Sequence, residues 1–366
     1  MINLDRTLSR LQRTRDIGVR IGELPPGPLN AITDVSGVKV GQVTLVQGSD
    51  IRTGVTAIIS HPGNLYQEKV PAAIAIGNGY GKLIGYTQVE EFGELETALV
   101  LTNTLSAPVA AAALIEYTLQ QPGNEDVISV NPVVGETNDG YLNNIRARYI
   151  TETRISAAIT AASDGPVDEG AVGAGTGTVC LGFKGGIGTA SRTVEIETLS
   201  YTLGVLVQTN FGGNLEIAGV PVGRELATVS VENGSAKNES GSCMIVLATD
   251  APLDARQLTR LARRAFIGLG RTGGIMANGS GDYAIAFSTT PAVRITSQPT
   301  QSLRRINLLY DKFLTPFFQA VIESTEEAIL NSLFAAITVT GYTGHKATAL
   351  PLEDVVEVLK RFNRLE

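Results

Sequence analysis

Gly241-Ser242-Cys243-Met244-Ile245-Val246-Leu247-Ala248-Thr249 decides the reading of this chain. From Cys243 to Ala248 the run is apolar without interruption, which predicts a central strand buried on both faces. It begins abruptly. The segment from Glu232 to Gly241 holds one weakly apolar residue, Ala236, and reads as the clearest linker in the chain. A serine at the first position of a strand after such a linker has the local form of an N-terminal nucleophile. A backbone break before Ser242 frees an α-amine within reach of its own hydroxyl. That amine has a reference pKa of roughly 7.7–8.0, so near neutral pH it serves as a base without a histidine. Gly241 tolerates the strained angles of a scissile bond. The same letters also describe an ordinary loop entering a strand, because serine after glycine is common in turns.

Outward from this stretch, strands alternate with a few long helices. Thr33 to Val43 reads as a strand broken by tight turns, and Val55–Ile59 and Ala72–Ile76 as buried strands. Ala107 to Leu119 reads as a helix, Val127 to Val134 as strand-like, and Leu199 to Gln208 as a strand. Ile217 to Thr228 carries turns and another possible strand. After the central run, Asp254 and Gln257 form a capping box, and Leu258, Leu261, Ala262, Ala265 and Leu269 repeat at helical spacing. Gly268 and Gly270 then supply a stop. Ala284–Phe287 reads as a strand, Thr315-Pro316 opens a second long helix, and Pro351 precedes a last one. The interleaving predicts α/β layers in a single domain over 1–366, with no split forced at the linker.

Composition narrows the function. With 366 residues, 43% hydrophobic and 18% charged, a sizeable core is feasible. A formal net charge of −7 argues against a nucleic-acid surface. No apolar run is long enough to span a membrane. Arg6, Arg10, Arg13 and Arg15 precede no apolar segment of a secretory signal, so a cytoplasmic setting is expected. Two cysteines, Cys180 and Cys243, give no disulfide framework. Two histidines, His61 and His345, stand outside any metal-ligand spacing, so neither metal nor cofactor is expected.

Common catalytic patterns fail. Gly173 to Thr178 lacks the last glycine of a dinucleotide fingerprint, and Gly77 to Leu83 has the wrong spacing for a P-loop. No serine lies in G-x-S-x-G, and a Ser-His-Asp triad would have to use His61 or His345. Three segments join the linker junction as candidates. Ser280 and Asp282 stand two apart before a strand, where side chains point the same way. Asn210 ends a strand and offers an amide to an oxyanion. Glu136 offers a carboxylate at a strand end, within Val133 to Tyr141. Each also reads as turn chemistry or as a solvated acidic loop. Cys243, one residue past Ser242, points to the opposite face and is read as packing.

Together these segments resemble the L-aminopeptidase/D-Ala-esterase-amidase family, which includes the β-peptidyl aminopeptidases. Collinear matches run from Gly27–Val35 through Leu101–Thr104, Gly135–Thr137, Gly173–Gly177, Gly182–Thr189, Val207–Gly212, Gly241-Ser242, Ala248–Leu253 and Gly268–Gly273 to Gly279–Phe287. The resemblance implies a four-layer αββα sandwich, like that of N-terminal-nucleophile hydrolases but differently connected. It implies cleavage between Gly241 and Ser242 into 1–241 and 242–366, which stay associated, and tetramers of such αβ units. Ser242 would be the nucleophile, supported by Ser280 and Asp282. The family carries Glu where this chain has Asp282, a shorter carboxylate. Asn210 would donate to the oxyanion, and Glu136 would pair with the ammonium of a small peptide or amino-acid amide. In some members a tyrosine of the Glu136 loop is a second donor; here Asn138 stands near that point and Tyr141 follows. Ornithine acetyltransferases share the self-processing fold but use threonine, so an acyl transferase is the nearest alternative. An unprocessed binding or scaffold homologue is the other.

Overall fold

The computed structural model describes residues 12–229 and 241–365, the side chains of 227–229 apart. The linker predicted over 232–241 therefore lies outside the described residues except for Gly241.

Ser242–Thr249 is buried at every position, so it needs cover on both faces and a partner on both edges. The chain supplies these with strands β1 (Lys39–Gln47), β2 (Ile51–Ile59), β3 (Glu68–Gly79), β4 (Glu94–Leu95), β5 (Leu99–Asn103), β6 (Val133–Thr137), β7 (Val179–Cys180), β8 (Phe183–Lys184), β9 (Ile187–Ile196), β10 (Leu199–Asn210), β11 (Ser242–Thr249), β12 (Gly281–Ser288) and β13 (Ile295–Thr296). The helices are α1 (Tyr86–Phe92), α2 (Ala107–Leu119), α3 (Glu152–Thr160), α4 (Val222–Val229), α5 (Ala255–Arg271), α6 (Thr315–Phe334) and α7 (Leu352–Arg361). One sheet runs β9-β10-β11-β12-β3, with β4 and β13 on β3; a smaller sheet runs β1-β2-β5-β6. Pairing is antiparallel except β11–β12 and β5–β6.

Three buried apolar clusters separate four layers. Val55, Val100, Ala110, Leu114 and Ile155 join the small sheet to α2 and α3. Ile58, Leu101, Leu206, Met244, Val246 and Ile285 fill the space between the sheets. Val207, Ile245, Leu247, Leu261, Val321 and Ile329 join the large sheet to α5 and α6. The alternation along β11 divides its residues between the last two clusters, as a pleated strand requires. The molecule is thus an αββα sandwich. Helix α6 lies close on β9 because Gly188 has no side chain: a Cβ there would stand 1.9 Å from the Ala328 carbonyl oxygen. The fully buried Arg192 of β9 reaches Glu323 at 3.0 Å and Glu327 at 2.6 Å on α6.

Four local readings need correction. Thr33 lies in a short 3-10 turn, Ile32–Asp34, before β1 starts at Lys39. Residues 127–132 form no strand, and Ile128 is 99% exposed. Val222–Val229 is a helix, not a strand, burying Val222 and Leu226 four residues apart. Helix α5 runs through Gly268 and Gly270 to Arg271, because Gly268 is a contact point and not a stop: a Cβ there would lie 2.7 Å from Ile322 O of α6.

Candidate active site

Ser242 opens β11 with Asn210 opposite it on β10 and Gly281 beside it on β12. By alternation with Met244 and Val246, its side chain leaves toward the space between the sheets. The hydroxyl donates to the Gly241 carbonyl oxygen at 2.6 Å. The Gly281 N–H donates to that same carbonyl at 3.1 Å and lies 3.3 Å from Ser242 Oγ. The carbonyl of the Gly241–Ser242 bond therefore carries two donors, one of them the attacking group.

Asn210 shares this face, since directly opposed residues of a ladder point the same way. Its amide is fixed by two bonds. Val179 N–H donates to Oδ1 at 3.1 Å, and Nδ2 donates to the Asn138 carbonyl at 3.0 Å. An amide nitrogen has two hydrogens, so among the described residues one N–H remains for an oxyanion. Asn138 contributes through its backbone; its own Oδ1 accepts from Gly140 N–H at 2.9 Å in a local turn, and the residue is exposed. Tyr141 stacks on His345 with ring centroids 4.5 Å apart, and His345 Nδ1 bonds the Tyr141 carbonyl at 2.8 Å.

The segment Val133 to Tyr141 is no solvated acidic loop. Glu136 is buried, with Oε1 accepting from Lys82 N–H at 2.9 Å and Oε2 bonded by the Thr104 hydroxyl. Burial and the nearby Glu136 charge raise the Tyr283 phenol above its usual range. The strands that carry Glu136 and Ser242 approach one another through their neighbours. Gly135 faces Met244, a Cβ there coming within 2.8 Å of its sulfur, and Gly81, next to Lys82, packs on Gly281. A Cβ at Gly281 would stand 2.9 Å from Tyr80 O and 3.0 Å from Gly81 Cα, so any side chain there forces this junction to shift.

Ser280 and Asp282 are buried, and among the described residues neither the hydroxyl nor either carboxylate oxygen has a partner at full hydrogen-bond geometry, the Ser280 hydroxyl and Cys243 N–H being the donors nearest the carboxyl. Burial pushes the Asp282 carboxyl up to about 6, while the adjacent Ser280 hydroxyl and Cys243 N–H partly offset it. Asp282 alternates with Ala284 and Ala286, which face the α5–α6 side, so it lies across the sheet from the Ser242 hydroxyl and beside Cys243. Cys243 points away from the site as read from the sequence. Burial and the Asp282 charge raise its thiol well above the usual range, which makes it a packing residue.

Sequence reading missed two contributors. A backbone donor such as the Gly281 N–H has no letter of its own. The buried Asp139, bonded by Thr53, was legible only as a loop acid. Among the described residues, no cluster of three His, Cys, Asp or Glu side chains has the arrangement of a metal site. A cavity of about 340 Å³ lined by Arg20, Gly22, Glu216, Arg271, Glu326 and Arg364, among others, includes none of the candidate residues.

The sequence pattern of peptidase family S58 matches residues 30–347. The chain is 41% identical to the β-peptidyl aminopeptidase BapA of Sphingosinicella microcystinivorans, an alignment covering 96% of this chain and 93% of that one. The L-aminopeptidase D-Ala-esterase/amidase of Ochrobactrum anthropi is described as a prototype for the serine aminopeptidases and a new variant among the Ntn hydrolase fold. Its structure matches with a TM-score of 0.90 at 37% identity, covering 97% of this chain and 99% of that one. The PH0078 protein of Pyrococcus horikoshii OT3 matches with a TM-score of 0.91 at 46% identity, over 97% and 100% of the two chains.

Proposed function

Since this chain belongs to peptidase family S58 and is a self-processing aminopeptidase and amidase of the serine, N-terminal-nucleophile type, we propose that it cuts itself between Gly241 and Ser242 and then attacks peptides with the exposed Ser242. The observation that carries this reading is the Ser242 hydroxyl 2.6 Å from the Gly241 carbonyl oxygen. The hydroxyl oxygen adds to the Gly241 carbonyl carbon. The C–N bond breaks, the Ser242 nitrogen takes the proton, and water opens the resulting ester. The products are a Gly241 carboxylate and a free Ser242 amine.

That amine supplies a charged partner to Ser280 and Asp282, whose side-chain oxygens have none at full hydrogen-bond geometry among the described residues of the uncut chain. Because Asp282 lies across the sheet from the hydroxyl, its influence on the nucleophile runs through the amine, which a strand's first nitrogen makes reachable from either face. In turnover the substrate enters amino end first and Glu136 pairs with its ammonium. Ser242 attacks the first carbonyl and gives its proton to its own amine. The free N–H of Asn210 stabilises the oxyanion, worth about 3–4 kcal/mol for one good donor. The intermediate then collapses: its bond to the leaving amine breaks, and that amine takes the proton back from the Ser242 ammonium. Water, or an acceptor amine, next adds to the acyl-enzyme carbonyl, gives a proton to the Ser242 amine and displaces Ser242 Oγ, which recovers that proton as the acid or new amide leaves.

The curated relatives named as β-peptidyl aminopeptidases, 41% and 38% identical, favour amino-terminal β-residues among the substrates. Likeness to the Ochrobactrum D-Ala-esterase/amidase, 37% identical, adds amides of D-amino acids to the proposed substrates. The halves 1–241 and 242–366 remain joined through the β10–β11 ladder; a tetramer of such units rests on the family resemblance alone, and the cytoplasmic setting is a proposal from the sequence only. The transferase and scaffold alternatives are not favoured, because the relatives named are aminopeptidases. Intact mass measurement of purified protein tests the cut, and a screen of α- and β-aminoacyl p-nitroanilides in both stereochemical series tests the substrate. A fully active sample that is one continuous chain through Ser242 ends this reading.

A further inference from the structure

We infer that Asp139 is a positioning residue for the oxyanion amide, acting through the main chain of Asn138 and so on Asn210. This rests on the reading of Asn210 as oxyanion donor. Asp139 is 1% exposed. Its Oδ2 accepts the Thr53 hydroxyl of β2 at 2.6 Å, and its Oδ1 accepts the Asn143 amide at 3.0 Å. Its carbonyl accepts Leu142 N–H at 3.1 Å and Asn143 N–H at 3.0 Å. Thr53 in turn accepts the Asn103 amide of β5 at 2.9 Å, and Asn143 Oδ1 accepts Arg52 N–H at 3.2 Å. A buried carboxylate bonded to neutral groups is costly, and burial raises this one to about 6. What the arrangement gives in return is a loop clamped to two strands of the small sheet.

That clamp bears on the nucleophile because peptide units are planar. The Asn138 carbonyl oxygen and the Asp139 Cα belong to one rigid plane. A shift at Asp139 therefore swings the carbonyl that holds Asn210 Nδ2 at 3.0 Å, and with it the one amide N–H left for the oxyanion. Two residues earlier, Thr137 Oγ1 accepts Gln208 Nε2 at 2.9 Å, so the same loop is tied to β10 a second time. Since Asn210 faces the transition state and not the ground state, a misplaced amide lowers kcat and spares KM.

Two variants test this. Asp139→Asn keeps the shape but sets an N–H group or an amide oxygen where two acceptors now face Thr53 and Asn143. Thr53→Val removes one donor to Asp139, and the acceptor of the Asn103 amide, at nearly constant volume. Each is assayed with an aminoacyl p-nitroanilide, normalised to the fraction of chain carrying a free Ser242 amino terminus, alone and combined with Asn210→Ala. The expected result is a kcat lower by about 10- to 100-fold for a misplaced catalytic group, with KM within about twofold, and almost no further loss on top of Asn210→Ala. The full loss persisting in the Asn210→Ala background, or a raised KM with unchanged kcat, overturns the inference. So does a normal Asp139→Asn enzyme beside an impaired Asn210→Ala one. An unimpaired Asn210→Ala enzyme instead overturns the oxyanion assignment, and this inference with it. If Asp139→Asn does not fold, Thr53→Val carries the same outcomes.

Discussion

Asn210 stands directly across the β10–β11 ladder from Ser242, with one amide hydrogen on the Asn138 carbonyl and the other uncommitted among the described residues. A donor held in that way reorganises little as charge develops on a substrate carbonyl. Asn210→Ala is expected to lower kcat by about 10²–10³-fold, the usual loss for one oxyanion donor. KM should hardly move. Steady-state kinetics on fully split enzyme measure this, and a change confined to KM would reassign Asn210 to substrate binding.

Ser242→Ala removes the only hydroxyl bonded to the Gly241 carbonyl among the described residues. The chain should remain uncut and inactive toward aminoacyl amides. Intact mass spectrometry reads the first outcome and a chromogenic assay the second. Cleavage at the same bond in the alanine variant would require another nucleophile.

Gly281→Ala should slow self-cleavage while leaving the central strand in place. The added Cβ meets Tyr80 O and Gly81 Cα at about 3 Å, so β12 must move, and the N–H on the scissile carbonyl moves with it. A time course of chain splitting after expression reports this; an unchanged rate would show that the Gly281 donor is dispensable.

Asp282 gives the uncut chain a pH signature. Its folded carboxyl holds a proton up to about pH 6, whereas an unfolded aspartate loses it above about 3.9. Between these values the folded chain binds more protons, so stability falls as pH rises and stays lower above the window. In the uncut Ser242→Ala background, adding Asp282→Asn should therefore raise Tm at pH 8, with the difference shrinking at pH 4. Thermal melts at the two values decide it, and a gap of equal size at both would rule out this ionisation. In the split enzyme the same change should abolish the support given to the amine and lower activity.

Arg192 is fully buried between Glu323 and Glu327. Arg192→Leu leaves two carboxylates facing each other without it, and such broken pairs cost about 3–5 kcal/mol. Urea unfolding of the uncut Ser242→Ala chain, with and without the change, measures the loss.

The central strand was legible because nothing in Cys243–Ala248 tolerates water, and Ala107–Leu119 because its alanines leave helix as the natural form. Helix α4 escaped because valine and threonine suggest a strand, although Val222 and Leu226 keep helical spacing. Val127, Ile128 and Val130 imitated strand alternation on an exposed segment. At the site, Ser242, Asn210 and Asp282 announced themselves by residue type and place. Their relation did not: which face Asp282 occupies depends on the partner strands, and the burial of Glu136 and Asp139 depends on segments distant in sequence, around Lys82, Thr104 and Thr53.

The cut proposed at Gly241 falls between two neighbouring strands of one sheet, β10 belonging to one piece and β11 and β12 to the other. An intact polypeptide assembles that ladder as an internal event, with a tether that keeps its ends at high local concentration. After scission the tether is gone, and a melted sample must rebuild the ladder by collision between separate molecules, at a rate set by dilution. The mature protein therefore inherits a shape it no longer has the means to regain alone, and its lifetime depends on never coming apart.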